Sequence, residues 1–91
     1  MSYPIEHDPA AGQFTATVEG KVSMLQYRLK PGVMKIVHTE VPAELSCHGI
    51  AADLMRAALD FARASGWRVV PACSYARAFL ERHPEYSGLL A

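Results

Sequence analysis

Residues 33–73 read "VMKIVHTEVPAELSCHGIAADLMRAALDFARASGWRVVPAC", and their periodicity changes twice. In residues 33–41, Met34, Ile36 and His38 oppose Val33, Lys35, Val37 and Thr39, the period-two alternation of a β-strand. From Ile50 the period lengthens: Ile50, Leu54, Ala58 and Phe61 recur at helical spacing. Asp53, Arg56, Asp60 and Arg63 follow one another at three or four residues, a solvated face with internal ion pairs. Ser65-Gly66 supplies a C-terminal stop. "WRVVPAC" is then too short and too β-branched to continue a helix. Strand, helix, strand predicts a right-handed crossover that sets residues 33–41 parallel to residues 67–72.

Upstream, "GQFTATVEGKVSMLQYRLKPG" is rich in β-branched and aromatic residues and is punctuated at Glu19-Gly20 and Lys30-Pro31-Gly32. This predicts two further strands, which form a meander with residues 33–41. Phe14, Ala16 and Val18 share one face; Val22, Met24, Gln26 and Arg28 oppose Ser23, Leu25, Tyr27 and Leu29. Because apolar residues lie on both faces, part of the sheet is expected to be covered twice or to carry a ligand. Downstream, "SYARAFLERHPEY" offers Ser74 as helix N-cap, an apolar side of Tyr75, Phe79 and Leu80, and a stop at His83-Pro84. The expected architecture is a single α/β (α+β) domain over residues 1–91. An antiparallel β-meander leads into a βαβ unit with splayed parallel strands, followed by a short C-terminal helix.

Ninety-one residues, 51% of them hydrophobic and 20% charged, can bury one modest core but not two. Nine basic residues balance nine acidic ones without a basic cluster, which argues against nucleic acid as a partner. No apolar run reaches the length of a membrane span, and the N-terminus lacks the pattern of a signal peptide, so a cytoplasmic protein is expected. Such a chain normally keeps its thiols reduced, and Cys47 and Cys73 are read as free.

Three features could carry chemistry. The segment "VPAELSCHGIAADLM" lies between a strand and a helix N-terminus, where free N–H groups favour a phosphate, and Gly49 and Ala51 keep side chains out of its way. Pro71 cannot donate to a ladder, so it sits on a sheet edge or where the strand leaves its neighbour, and a departure would open a gap at the carboxyl end of the parallel pair. Cys73 follows at the mouth of that gap, ahead of a helix whose dipole favours an anionic sulfur; a small buried hydrophobe is the plainer use of the same residue. His38, on the face of Met34 and Ile36, fits either a hydrogen-bonded core position or a base. Zinc binding by Cys47, His48, His38 and Cys73 is not expected, because adjacent Cys47-His48 would strain a tetrahedral site.

"HTEVP", the G-x-A that opens the long helix, and "PACSYARAFLERHPEY" around Cys73 together make the chain resemble the compact single-domain branch of the GNAT acetyltransferase superfamily, over most of its length from about Gln13 to Leu89. The resemblance implies an acetyl-CoA site where two parallel strands splay, with no metal. Backbone groups of Thr39, Glu40 and Val41 would pair with pantetheine. The amides of Ser46, Cys47, His48, Gly49, Ile50, Ala51 and Ala52 would cradle the pyrophosphate, and Tyr75, Ala76 and Phe79 would lie beside the thiol end or the adenine. It also implies a catalytic role for Cys73, which would either take the acetyl group as a thioester or reprotonate the CoA thiolate as an amine attacks directly. His38 is the candidate base for the incoming amine, which could be a small molecule or a protein group. The phosphate loop of this superfamily reads R/Q-x-x-G-x-G/A, and this branch carries Arg and Gly where Ser46 and Cys47 stand here, so weaker CoA affinity is expected. A CoA-binding or partner-binding module without turnover, and a redox pair of Cys47 with Cys73, are the other uses these residues allow.

Overall fold

A computed structural model of the chain describes residues 4–45 and 49–90. Strands β1 (Glu6–Asp8), β2 (Gln13–Val18), β3 (Lys21–Lys30) and β4 (Val33–Glu40) precede helix α1 (Ile50–Ala64), strand β5 (Arg68–Pro71) and helix α2 (Ser74–Arg82). Short 3-10 turns occupy Ala43–Leu45 and Pro84–Leu89. The five strands form one sheet in sequence order, antiparallel from β1 to β4 and parallel between β4 and β5. The meander and the parallel pair around α1 thus form as the two changes of period predict.

The short strand β1 has no counterpart in the sequence pattern, since "EHD" shows no apolar alternation. Tertiary contacts hold it instead. The His7 imidazole lies flat on Phe14, with ring centroids 4.0 Å apart and planes within 2°, and meets Phe61 edge-on at 4.4 Å. Its Nε2 is 2.5 Å from the Tyr27 hydroxyl. The chain enters β2 through Gly12, at φ 69°, whose carbonyl accepts from the Tyr27 N–H at 2.9 Å.

The buried strand residues Phe14, Ala16, Leu25, Met34, Ile36 and Val69 meet Leu54, Met55, Ala58, Leu59 and Ala62 of α1 in one core. Full burial of a Leu, Ile or Met side chain stabilises by about 1.5–3 kcal/mol, so this seam dominates the fold energetically. The opposite face is not covered as the two-sided apolar pattern predicts: Val22 is 51% exposed, Met24 and Gln26 are half-buried, and Arg28 is exposed. Ser23 faces the core instead, fully buried, and its hydroxyl has no hydrogen-bond partner among the described residues. The charged stripe of α1 pairs internally, Arg56 with Asp53 at 3.6 Å and Arg63 with Asp60 at 3.9 Å.

One irregularity positions the site. Between β3 and β4 the register runs Tyr27 to Ile36 and then Gln26 to His38, which leaves Val37 as the extra residue of a β-bulge. Directly opposed residues project to the same face, so beyond the bulge Thr39 lies with buried Leu25 and His38 lies with Gln26 on the open face. His38 is therefore not on the face of Met34 and Ile36, as strict alternation predicts. The extra residue inverts the parity of the strand.

Candidate active site

β4 and β5 pair over four registers, from Val33 with Arg68 to Ile36 with Pro71. There the ladder stops. The N–H groups of Ala72 and Cys73 both converge on the Ile36 carbonyl, at 2.9 and 3.2 Å, and the chain then turns into α2 while β4 runs on to Glu40. A gap opens between the end of β4 and the start of α2, in the place that Pro71 marks in the sequence.

Cys73 sits at this opening, half-buried, with extended backbone at φ −92° and ψ 154°. It is the N-cap of α2: its Sγ accepts from the Ala76 N–H at 3.4 Å. Ser74, expected as the cap, is instead the first helical residue and is exposed. On the strand side, Thr39 Oγ1 lies 3.8 Å from the same sulfur. The sulfur is thus held between a helix N-terminus and the far end of β4.

Of the other residues drawn from the sequence, Thr39, Glu40 and Val41 lie along the end of β4 and just beyond it, past the last β4–β5 pair. At the start of α1, Gly49 adopts the left-handed conformation, φ 74°, with no side-chain cap. The first helical bond runs from Asp53 N–H to the Gly49 carbonyl at 3.1 Å, so the amides of Ile50, Ala51 and Ala52 precede it and point out of the helix end. Among the described residues a Cβ on Gly49 would meet no atom within 4 Å. Ser46, Cys47 and His48 lie outside the described residues, and with them the altered loop and any pairing of Cys47 with Cys73.

Ala76 and Phe79 are buried core residues. Phe79 stacks on His83 with centroids 4.1 Å apart and lies under the Arg56 guanidinium at 5.6 Å. Tyr75 is half-buried, and burial raises its phenol above the usual range against the opposing pull of Arg82 and Arg56. His38 is not brought to Cys73: it is exposed on the open face, with Nε2 3.1 Å from Glu40 Oε1. The Thr39 hydroxyl is the contact that sequence reading misses, because only the bulge turns it toward the sulfur.

Two cavities flank this region. One of about 290 Å³ is lined by Pro71, Arg77, Leu80, Glu81 and Leu90; another of about 180 Å³ lies at the bulge, among Gly12, Gln26, Tyr27 and Val37. Neither includes Cys73, which lies on the open edge where the two strands separate. Among the described residues no cluster of three or more His, Cys, Asp or Glu side chains could hold a metal, and no helix is long and apolar enough to cross a membrane.

This arrangement, a meander leading into parallel strands that part beside a helix N-terminus, coincides with a match of residues 13–89 to the GCN5-related N-acetyltransferases. The chain belongs to the GCN5-related N-acetyltransferase family. Within the family it is similar to Protein NATD1 of Bos taurus, with 32% identity over 83 residues that cover 88% of this chain and 74% of that protein. Protein NATD1 of Homo sapiens is 30% identical over the same length, with the same coverage. A GCN5-like protein of Staphylococcus aureus, solved in solution, shares the fold with a TM-score of 0.79 over 99% of this chain and 89% of its own, at 22% identity. Membership places the chain in a family of acetyl-transferring enzymes that generally use acetyl-CoA.

Proposed function

We propose that this GCN5-related protein transfers an acetyl group from acetyl-CoA to an amine, with Cys73 as the residue that receives it. The observation that carries this reading is the position of the Cys73 sulfur where β4 and β5 part, within reach of the Ala76 N–H and the Thr39 hydroxyl. Pantetheine fits along the edge of Thr39, Glu40 and Val41, and the outward amides of Ile50, Ala51 and Ala52 suit a pyrophosphate. All three residues lie past the last β4–β5 pair, so their backbone is free of β5.

In the first step the Cys73 thiolate attacks the acetyl carbonyl; the Sγ–C bond forms, the C–S bond to CoA breaks, and CoA leaves as a thiolate that is protonated from water. In the second, a neutral amine attacks the Cys73 thioester. The C–N bond forms, the Sγ–C bond breaks, the sulfur leaves as thiolate, and the amine proton passes to a base. That base is water, because His38, paired with Glu40 on the open face, lies on the other side of the sheet from Thr39 and Cys73. The scheme suits a small amine and a protein amine alike.

Intact-mass analysis after incubation with acetyl-CoA tests this reading. One acetyl group is expected on the Cys73 peptide, and it should disappear when an accepting amine is added. A chain that binds CoA but never carries acetyl on Cys73, and releases no CoA with any amine in a panel, is a binding module instead. Amine-dependent CoA release that persists unchanged in Cys73→Ala would remove the thiol from the reaction altogether.

A further inference from the structure

We propose that the Thr39 hydroxyl is a positioning residue for the Cys73 sulfur, donating a hydrogen bond that holds the thiolate at the mouth of the gap. This rests on the reading of Cys73 as the reacting thiol. Three observations converge on it. The bulge at Val37 turns Thr39 onto the face of Leu25; with Val37 paired regularly opposite Gln26, His38 would take this side and Thr39 would point to the open face. The contact spans 34 positions of sequence, so it comes from tertiary placement, and both residues are sheltered from water, which strengthens a hydrogen bond. Finally, β4 grips Cys73 twice, by the Ile36 carbonyl on its backbone N–H at 3.2 Å and by Thr39 Oγ1 on its side chain at 3.8 Å.

The Ala76 N–H approaches the sulfur from the helix at 3.4 Å. Alone, this donor caps α2 and leaves the side chain's strand side unrestrained. A hydroxyl donor from β4 adds a second direction, so the sulfur is fixed from helix and strand together. Threonine suits the task because its β-branched side chain has few rotamers and stays rigid in a strand.

The test is the rate of alkylation of Cys73 by iodoacetamide near neutral pH, read on the Cys73 peptide by mass spectrometry so that Cys47 does not contribute. Thr39→Val keeps the shape and β-branching but removes the donor; it should slow alkylation by about threefold, the scale of one modest hydrogen bond. Thr39→Ser restores the hydroxyl and should return the rate to the wild-type value. A wild-type or faster rate in Thr39→Val overturns the proposal, and so does a Thr39→Ser rate as slow as that of Thr39→Val, because the methyl group would then matter and not the hydroxyl. Far-UV circular dichroism checks each variant. Where Thr39→Val does not fold, Thr39→Ala takes its place with the same expected and overturning rates. Alkylation involves no acetyl-CoA, so failure of the acetyl-transfer reading leaves this result standing, and the reverse also holds.

Discussion

The backbone N–H of Cys73 donates to the Ile36 carbonyl at 3.2 Å, beside the Ala72 N–H at 2.9 Å on the same oxygen. The position of the thiol is therefore set by β4 as much as by the helix it caps. Replacing the side chain should leave the backbone in place and isolate what the sulfur contributes.

Cys73→Ala removes the acceptor for the Ala76 N–H and should cost about 1 kcal/mol, the scale of a lost N-cap. Cys73→Ser keeps an oxygen acceptor there and should be as stable as wild type. Both should lose acetyl labelling completely. Urea denaturation beside the labelling assay checks the pair; a serine variant as unstable as the alanine variant would mean that the sulfur does not act as a cap.

The imidazole of His7, enclosed by Phe14, Phe61 and Tyr27, is pushed below its ordinary pKa of 6.5 by burial, with Asp8 pulling weakly the other way. The unfolded chain then binds the proton more readily than the folded one. Stability is full above the unfolded pKa, falls as pH drops below about 6.5 toward the lower folded value, and levels off beneath it. Urea midpoints measured across this window should decline for wild type and decline less for His7→Phe. Parallel profiles for the two proteins would assign the acid sensitivity elsewhere.

Two glycines with positive φ should respond differently to alanine. At Gly49, φ 74°, a Cβ meets nothing within 4 Å, so Gly49→Ala should cost about 1 kcal/mol of backbone strain alone. At Gly12, φ 69°, the same Cβ would lie 2.7 Å from the Tyr27 carbonyl oxygen, a backbone atom that cannot swing aside. Gly12→Ala should therefore cost more than about 2 kcal/mol and loosen β1. Thermal denaturation of the two variants decides, and equal losses would contradict the steric reading.

Ser23 is completely buried, and among the described residues its hydroxyl has no partner. Ser23→Ala removes the unpaired group and should stabilise the fold by up to about 1 kcal/mol. A destabilised Ser23→Ala protein would reveal a partner for this oxygen in solution.

Ser46 and Cys47 stand where this branch of the superfamily carries Arg and Gly. Restoring a cation and a flexible backbone in Ser46→Arg, Cys47→Gly should tighten CoA binding by about tenfold, the scale of one charge-assisted hydrogen bond to phosphate. Calorimetry on both proteins measures it, and equal affinities would show that the departure from the loop pattern costs nothing.

The order of elements was readable because each one changes the hydrophobic period: two for residues 33–41, helical from Ile50, two again at Val69. Pro71 fits the edge strand for a reason local to one residue, its missing N–H, which would point away from β4 because Ala72 supplies the N–H that reaches Ile36. What stayed hidden depends on contacts distant in sequence or on a shift of one position. Strand β1 exists because of the ring stack on His7, not because of its own pattern. The helix cap moved from Ser74 to Cys73 because neighbouring residues compete for it and the strand's grip on Cys73 decides the contest. His38 and Thr39 exchanged faces through a bulge that no alternation rule foretells, since Val37 resembles any other strand valine.

Val37 also divides β4 into two halves with independent phase. Residues 33–36 keep step with the helix-covered core, and residues 38–40 keep step with the thiol, so substitutions in one half need not be matched in the other. The register of the strand, more than the identity of any residue in it, decides which side chain faces Cys73: pairing Val37 with Gln26 would set His38 opposite Leu25, whereas deleting Val37 would straighten the strand and keep Thr39 opposite Leu25. A slip of one position past the bulge would therefore put an imidazole beside the sulfur in place of an uncharged hydroxyl.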